Sequence, residues 1–83
     1  MFEPDSADVR GDLRAWGRWI RVLRTARGLT QEQLGQRAGL DKNVIGVIER
    51  GDKNVGVAYL WPLSRALGVP VRDLFPSEDR PFP

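Results

Sequence analysis

Gly28-Leu29-Thr30-Gln31-Glu32-Gln33-Leu34-Gly35-Gln36-Arg37-Ala38-Gly39-Leu40-Asp41-Lys42-Asn43-Val44-Ile45-Gly46-Val47-Ile48-Glu49-Arg50-Gly51 holds two short amphipathic helices, each with its own start and stop signal. Thr30 through Gln33 form a capping box: the threonine oxygen accepts from the backbone N–H of Gln33, whose amide reaches back to Thr30. Leu34 and Ala38 make the inner face, Gly39 ends the helix, and Leu40 plugs the turn into the core. Asp41 then caps a second helix that closes at Gly51. Ile45 and Ile48 lie on its inner face, while Asn43, Gly46, Val47 and Arg50 point outward. This spacing predicts that the second helix rests across the first and shows solvent a polar side.

Working outward, the pattern stays helical, and no segment alternates as a strand would. Ahead of the pair, Val9, Leu13, Trp16, Ile20 and Leu23 form one apolar stripe on a helix from about Asp8 to Arg27. Trp19 and Val22 flank that stripe away from its centre. Gly11 and Gly17 weaken the helix by about 1 kcal/mol each relative to alanine. Behind the pair, Leu60, Leu63 and Leu67 form the spine of a fourth helix. Pro62 is tolerated only in a first turn, so that helix is expected to begin near Ala58 to Leu60. Pro70 opens a short fifth helix reaching Phe75, and a Pro-rich, extended tail follows. The expected fold is all-α, a compact five-helix domain.

With 83 residues there is room for one core. No apolar run approaches the roughly 20 residues of a membrane-spanning helix, and the first residues are acidic where a secretory signal would be basic. Neither a membrane association nor a targeting signal is expected, which points to the cytoplasm. Cysteine and histidine are both absent. That excludes disulfides, the usual transition-metal sites and Cys/His or Ser/His nucleophilic chemistry. No cofactor and no enzymatic activity are expected. Net charge is only +2, yet residues 10–53 carry ten basic groups against five acidic ones. Such a basic centre suits a polyanion, though a solvated arginine-rich surface explains the charge equally well.

A glycine-bearing turn between two such helices is how a helix-turn-helix presents its second helix to a DNA major groove. From Trp16 to Phe75 the chain resembles the Cro/cI-type, or Xre-like, helix-turn-helix regulators. The resemblance is carried by Arg24, Gly28-Leu29-Thr30-Gln31 with Leu34 and Ala38, and Ile45 with Ile48-Glu49-Arg50-Gly51. Ala66-Leu67-Gly68-Val69 and Asp73-Leu74-Phe75 complete it. It implies a lambda-repressor-like domain over residues 16–75, with residues 1–15 an N-terminal extension of the first helix and 76–83 a tail. It also implies a dimer that reads palindromic double-stranded DNA as a transcriptional regulator.

The resemblance assigns roles residue by residue. Gln31, with Thr30 beside it, matches a position that holds a backbone phosphate, where free helix-end N–H groups would face the same anion. Lys42, Asn43 and Val47 match base-reading positions, and their chemistry suits guanine, adenine and a thymine methyl respectively. Gly46 departs from the family's usual polar residue. It either lets the backbone approach DNA closely or marks relaxed constraint. Lys53 and Asn54 fall where relatives touch the DNA backbone, in a stretch that also reads as a plain turn. Arg24 and Glu49 match a buried ion pair; Arg24 lies roughly 60° from the stripe's centre and can reach inward.

Dimer contacts are expected around the fifth helix, at Leu74 and Phe75, with Phe82 in the tail. Core packing is the expected role of the other aromatics, Trp61 among them. Val9 and Leu13 extend the apolar stripe beyond one small core, so a second copy, a cover over the last helices or a protein partner at the N-terminal extension would each use them. Phage-type repressor, plasmid regulator, restriction–modification controller and antitoxin are all compatible with these residues. The alternative function is a protein-interaction module, or an antitoxin, whose helix-turn-helix mainly binds a partner protein.

Overall fold

The computed structural model describes residues 7–76, and among these every regular element is helical. α1 runs Ala7–Ala26, α2 Gln31–Ala38, α3 Lys42–Arg50 and α4 Leu60–Leu67. Each boundary has a local cause. Thr30 Oγ1 accepts from Gln33 N at 3.0 Å while Thr30 N donates to Gln33 Oε1 at 2.9 Å, completing the capping box of α2. Asp41 Oδ1 accepts from Asn43 N at 2.7 Å and caps α3. One 3-10 turn, Val57–Tyr59, leads directly into α4 and leaves Pro62 in the opening turn, where its missing N–H has no carbonyl to lose.

The expected fifth helix is a single 3-10 turn, Val71–Leu74. Pro70 and Pro76 bracket it too closely for an α-helix to nucleate. Pro76 also pushes the preceding Phe75 into extended backbone, at φ −114° and ψ 134°.

One core joins Trp16, Trp19, Ile20 and Leu23 of α1 to Leu34 of α2, Ile45 and Ile48 of α3, and Leu63 and Leu67 of α4. Leu29 and Leu74 close it from the loop before α2 and from the last turn. Trp19 therefore belongs to the core rather than to its flank. α1 meets α3 on one side and the Val71–Leu74 turn on the other, so it buries a broader arc than one stripe. The Trp19 indole donates to the Asp73 carbonyl at 2.7 Å and pins that turn to α1. The Arg27 guanidinium likewise donates to the carbonyl of Leu67 at the end of α4.

Gly17 has a purpose that its helix-weakening chemistry conceals. α1 crosses the last turn of α3 there, and a Cβ on Gly17 would stand 2.6 Å from the Glu49 carbonyl oxygen and nearer still to that of Ile48. Gly51 completes the contact from the other side. Its φ of +68° ends α3, and a Cβ on it would meet the Arg14 Cα at 2.8 Å. The two helices touch backbone to backbone.

Candidate nucleic-acid interface

The position of α3 is set by one carboxylate. Glu49 sits near its C-terminus with a side chain only 4% exposed. Its Oε2 accepts from Arg24 Nε at 2.6 Å, and its Oε1 accepts from Arg24 Nη2 at 3.0 Å and from Gln31 Nε2 at 3.1 Å. The third arm of Arg24, Nη1, donates to the Leu29 carbonyl at 2.7 Å. One buried guanidinium and one carboxylate thus tie together α1, the loop before α2, the first residue of α2 and the end of α3. Bidentate geometry and satisfied lone pairs are what make such a pair tolerable out of water.

Bonding to Glu49 raises the Arg24 pKa above the ordinary arginine range, against the opposing effect of burial. The stability that the Arg24 charge contributes is present below its ordinary range and is lost as pH rises through the raised value. Arg24 is a fixed charge at any working pH.

On the outer side of α3, Lys42 and Asn43 are exposed and Val47 is half-exposed; Lys53 and Asn54 are exposed in the loop that follows. Gln31 is half-buried, because its amide commits one donor to Glu49. Thr30 commits its hydroxyl to the cap. Gly46 does not lie on the open face. It is buried, with Arg50 Nη1 3.1 Å and Gln31 Oε1 3.7 Å from where its Cβ would be. The Arg50 side chain, paired with Asp52 at 2.6 Å on the surface, covers it.

Sequence reasoning overlooked three residues here. Val44, Val55 and Tyr59 join Asn43, Val47 and Lys53 around an open cup of about 290 Å³ between α3 and the loop leading to α4. Val44 precedes Val47 by one turn and could have been paired with it, but Val55 and Tyr59 return to the site only through the fold.

The expected dimer residues separate. Leu74 is fully buried beneath α1 and α4 and has no side-chain surface to offer a second subunit. Phe82 lies outside the described residues. Phe75 remains 42% exposed, stacked on Trp16 with ring centroids 6.1 Å apart. Trp61, expected in the core, is 55% exposed, and Val57 is 71% exposed. Phe75 and Val57 line an open groove of about 270 Å³ with Leu13, Trp16 and Leu60. The buried Trp16 indole N–H has no partner among the described residues.

Among the described residues no cluster of acidic side chains could hold a metal ion, and no helix is long and apolar enough to cross a membrane. A family model described as helix-turn-helix matches residues 20–74. The chain is similar to the uncharacterized HTH-type transcriptional regulator y4dJ of Sinorhizobium fredii, 39% identical over 61 residues that span 72% of this chain and 79% of the relative. Among solved structures it is similar to the restriction-modification controller protein C.AhdI from Aeromonas hydrophila. That match has 43% identity and a TM-score of 0.76, over 78% of this chain and 98% of the other. It is also similar to the S. venezulae BldD DNA-binding domain, with 32% identity and a TM-score of 0.70 over 80% of this chain and 99% of that domain.

Proposed function

The chain belongs to the Cro/cI-type helix-turn-helix family of transcriptional regulators, and from that premise we propose that it binds double-stranded DNA in the cytoplasm through α3 as a symmetric homodimer on a palindromic operator. The observation that carries this reading is a short helix held at a fixed angle from behind by Arg24, Glu49 and Gln31, while Lys42, Asn43 and Val47 stand on its free side. Lys53 and Asn54 extend that side toward the DNA backbone. Similarity to a DNA-binding domain and to a controller protein supports the same use.

Selection of bound duplexes from a random pool, read by sequencing, tests it. A two-fold motif with half-sites one helical turn apart, roughly 34 Å, is the expected result. Asn43→Ala is then expected to weaken binding by about 1–3 kcal/mol and to relax preference at one position per half-site. Lys53→Ala is expected to weaken every sequence alike and to lower the salt slope by about two, one for each half-site. An unselective pool would refute operator recognition and favour a protein partner.

One recognition helix reads too few base pairs to find a single site in a genome, so two copies must act together. Val57, Trp61 and Phe75 supply the exposed apolar surface for that association. Sedimentation at micromolar concentration, with and without full-site DNA, is expected to show two chains per palindrome, and Phe75→Ala is expected to weaken self-association. One chain per full site refutes the dimer.

A further inference from the structure

We propose that the cup formed by Val44, Val47, Val55 and Tyr59 recognises the C5-methyl group of a pyrimidine in the major groove, making Val55 and Tyr59 specificity determinants alongside α3. The proposal rests on the reading of α3 as the DNA-facing helix and adds what the apolar part of that face is for.

The walls of the cup are three valines and a tyrosine ring, and its polar rim is Asn43 and Lys53. Val44, Val55 and Tyr59 pack inward against the core, so the cup is held by the fold. Val47 is not part of that packing and is half-exposed. The three valines and the face of the tyrosine ring have nothing to offer a phosphate or a polar base edge, which leaves those to Asn43, Lys53 and the Tyr59 hydroxyl. Leaving the apolar wall hydrated is unfavourable, and an apolar group of matching chemistry would displace that water. Among the major-groove edges only the C5-methyl of thymine is apolar. 5-Methylcytosine places the same group at the same position, so the chemistry is shared by both.

The rim fixes how such a group would arrive. Asn43 stands one turn before Val47 on α3 and can engage a neighbouring base edge, while the Lys53 ammonium matches the charge of the flanking phosphate. A polyanion carrying methyl groups along its groove thus complements both the charged rim and the apolar floor. A free apolar peptide would complement only the floor.

The test uses the full chain and the duplex recovered by selection. Each thymine is replaced in turn by deoxyuridine, which removes only the methyl, and each cytosine by 5-methylcytosine, which adds only the methyl. At one position per half-site, either uracil is expected to weaken binding or cytosine methylation to tighten it. The size is about fourfold per half-site and about sixteenfold when both are changed. The direction observed identifies thymine or methylated cytosine as the source.

Val47→Ala and Val55→Ala, each checked for an unchanged fold by circular dichroism, are expected to bring that ratio below about twofold. Specific binding with no methyl-sensitive position overturns the cup and leaves DNA recognition standing. A sensitive position whose ratio survives Val55→Ala assigns the methyl to Val47 alone and also overturns it. Absence of any selected duplex removes both readings together.

Discussion

Glu49→Ala is expected to destabilise the domain by about 3–5 kcal/mol, because it leaves the Arg24 guanidinium buried without its counter-charge. For a chain of this size that lowers the thermal midpoint by roughly 12 °C or more. The loss comes from several directions at once. Glu49 accepts three hydrogen bonds, so its removal orphans two donors of Arg24 and one of Gln31. The partner pair Arg24→Met with Glu49→Leu removes both charges and is expected to recover most of the stability. It should still bind DNA more weakly than the parent, since the hydrogen bonds that tie α3 to the start of α2 and, through Arg24, to the Leu29 carbonyl are then gone. Urea unfolding with an unchanged slope, together with binding to the selected duplex, measures the two effects separately. A loss below about 1 kcal/mol in Glu49→Ala would mean that the pair behaves as an exposed one.

Gly17→Ala provides a sign test. Helix propensity alone predicts a gain of about 1 kcal/mol. The contact with the carbonyl oxygens of Ile48 and Glu49 predicts the reverse, because backbone atoms on both sides cannot step aside as a side chain can. We expect a net loss of about 2 kcal/mol as overpacking outweighs propensity. Gly11 is the control on the same helix. A Cβ there meets nothing within 4 Å, so Gly11→Ala is expected to stabilise by about 0.5–1 kcal/mol. Both are read from chemical denaturation midpoints. If both substitutions raise the midpoint, the backbone crossing of α1 and α3 is not a constraint. Because the same contact sets the height of α3 above α1, Gly17→Ala should also weaken DNA binding, which Gly11→Ala should leave alone.

What could be read from the sequence was what neighbouring residues decide. The caps at Thr30 and Asp41, the glycine stops at Gly39 and Gly51, and the start of α4 around Pro62 follow from chemistry within four residues, and each lies where the spacing placed it. Trp19 was misplaced because a stripe assumes one neighbour, whereas α1 has two, the second arriving from residues 71–74. Leu74 was misjudged for the same reason: it folds back under α1, and Phe75 rather than Leu74 is left outside. Gly46 read as outward because helical phase places it there, but phase does not report that the Arg50 side chain lies over it. Gly17 read as a weakness, since close approach between helices is a property of two segments. The cup escaped entirely, being made of α3 and a loop eight to fifteen residues away in the chain.

The hydrogen bond from Trp19 to the carbonyl of Asp73 joins residues 54 positions apart and lies beside Leu74, which seals the core. The first three helices are synthesised before that carbonyl exists, at roughly 5–20 residues per second. Until Leu74 is added, the core lacks one of its fully buried side chains. A chain that ends earlier therefore contains α1, α2 and α3 but lacks the turn that packs against α1 and α4. A chain that stops before Leu74 is expected to melt at a lower temperature than the full chain and to bind the selected duplex more weakly.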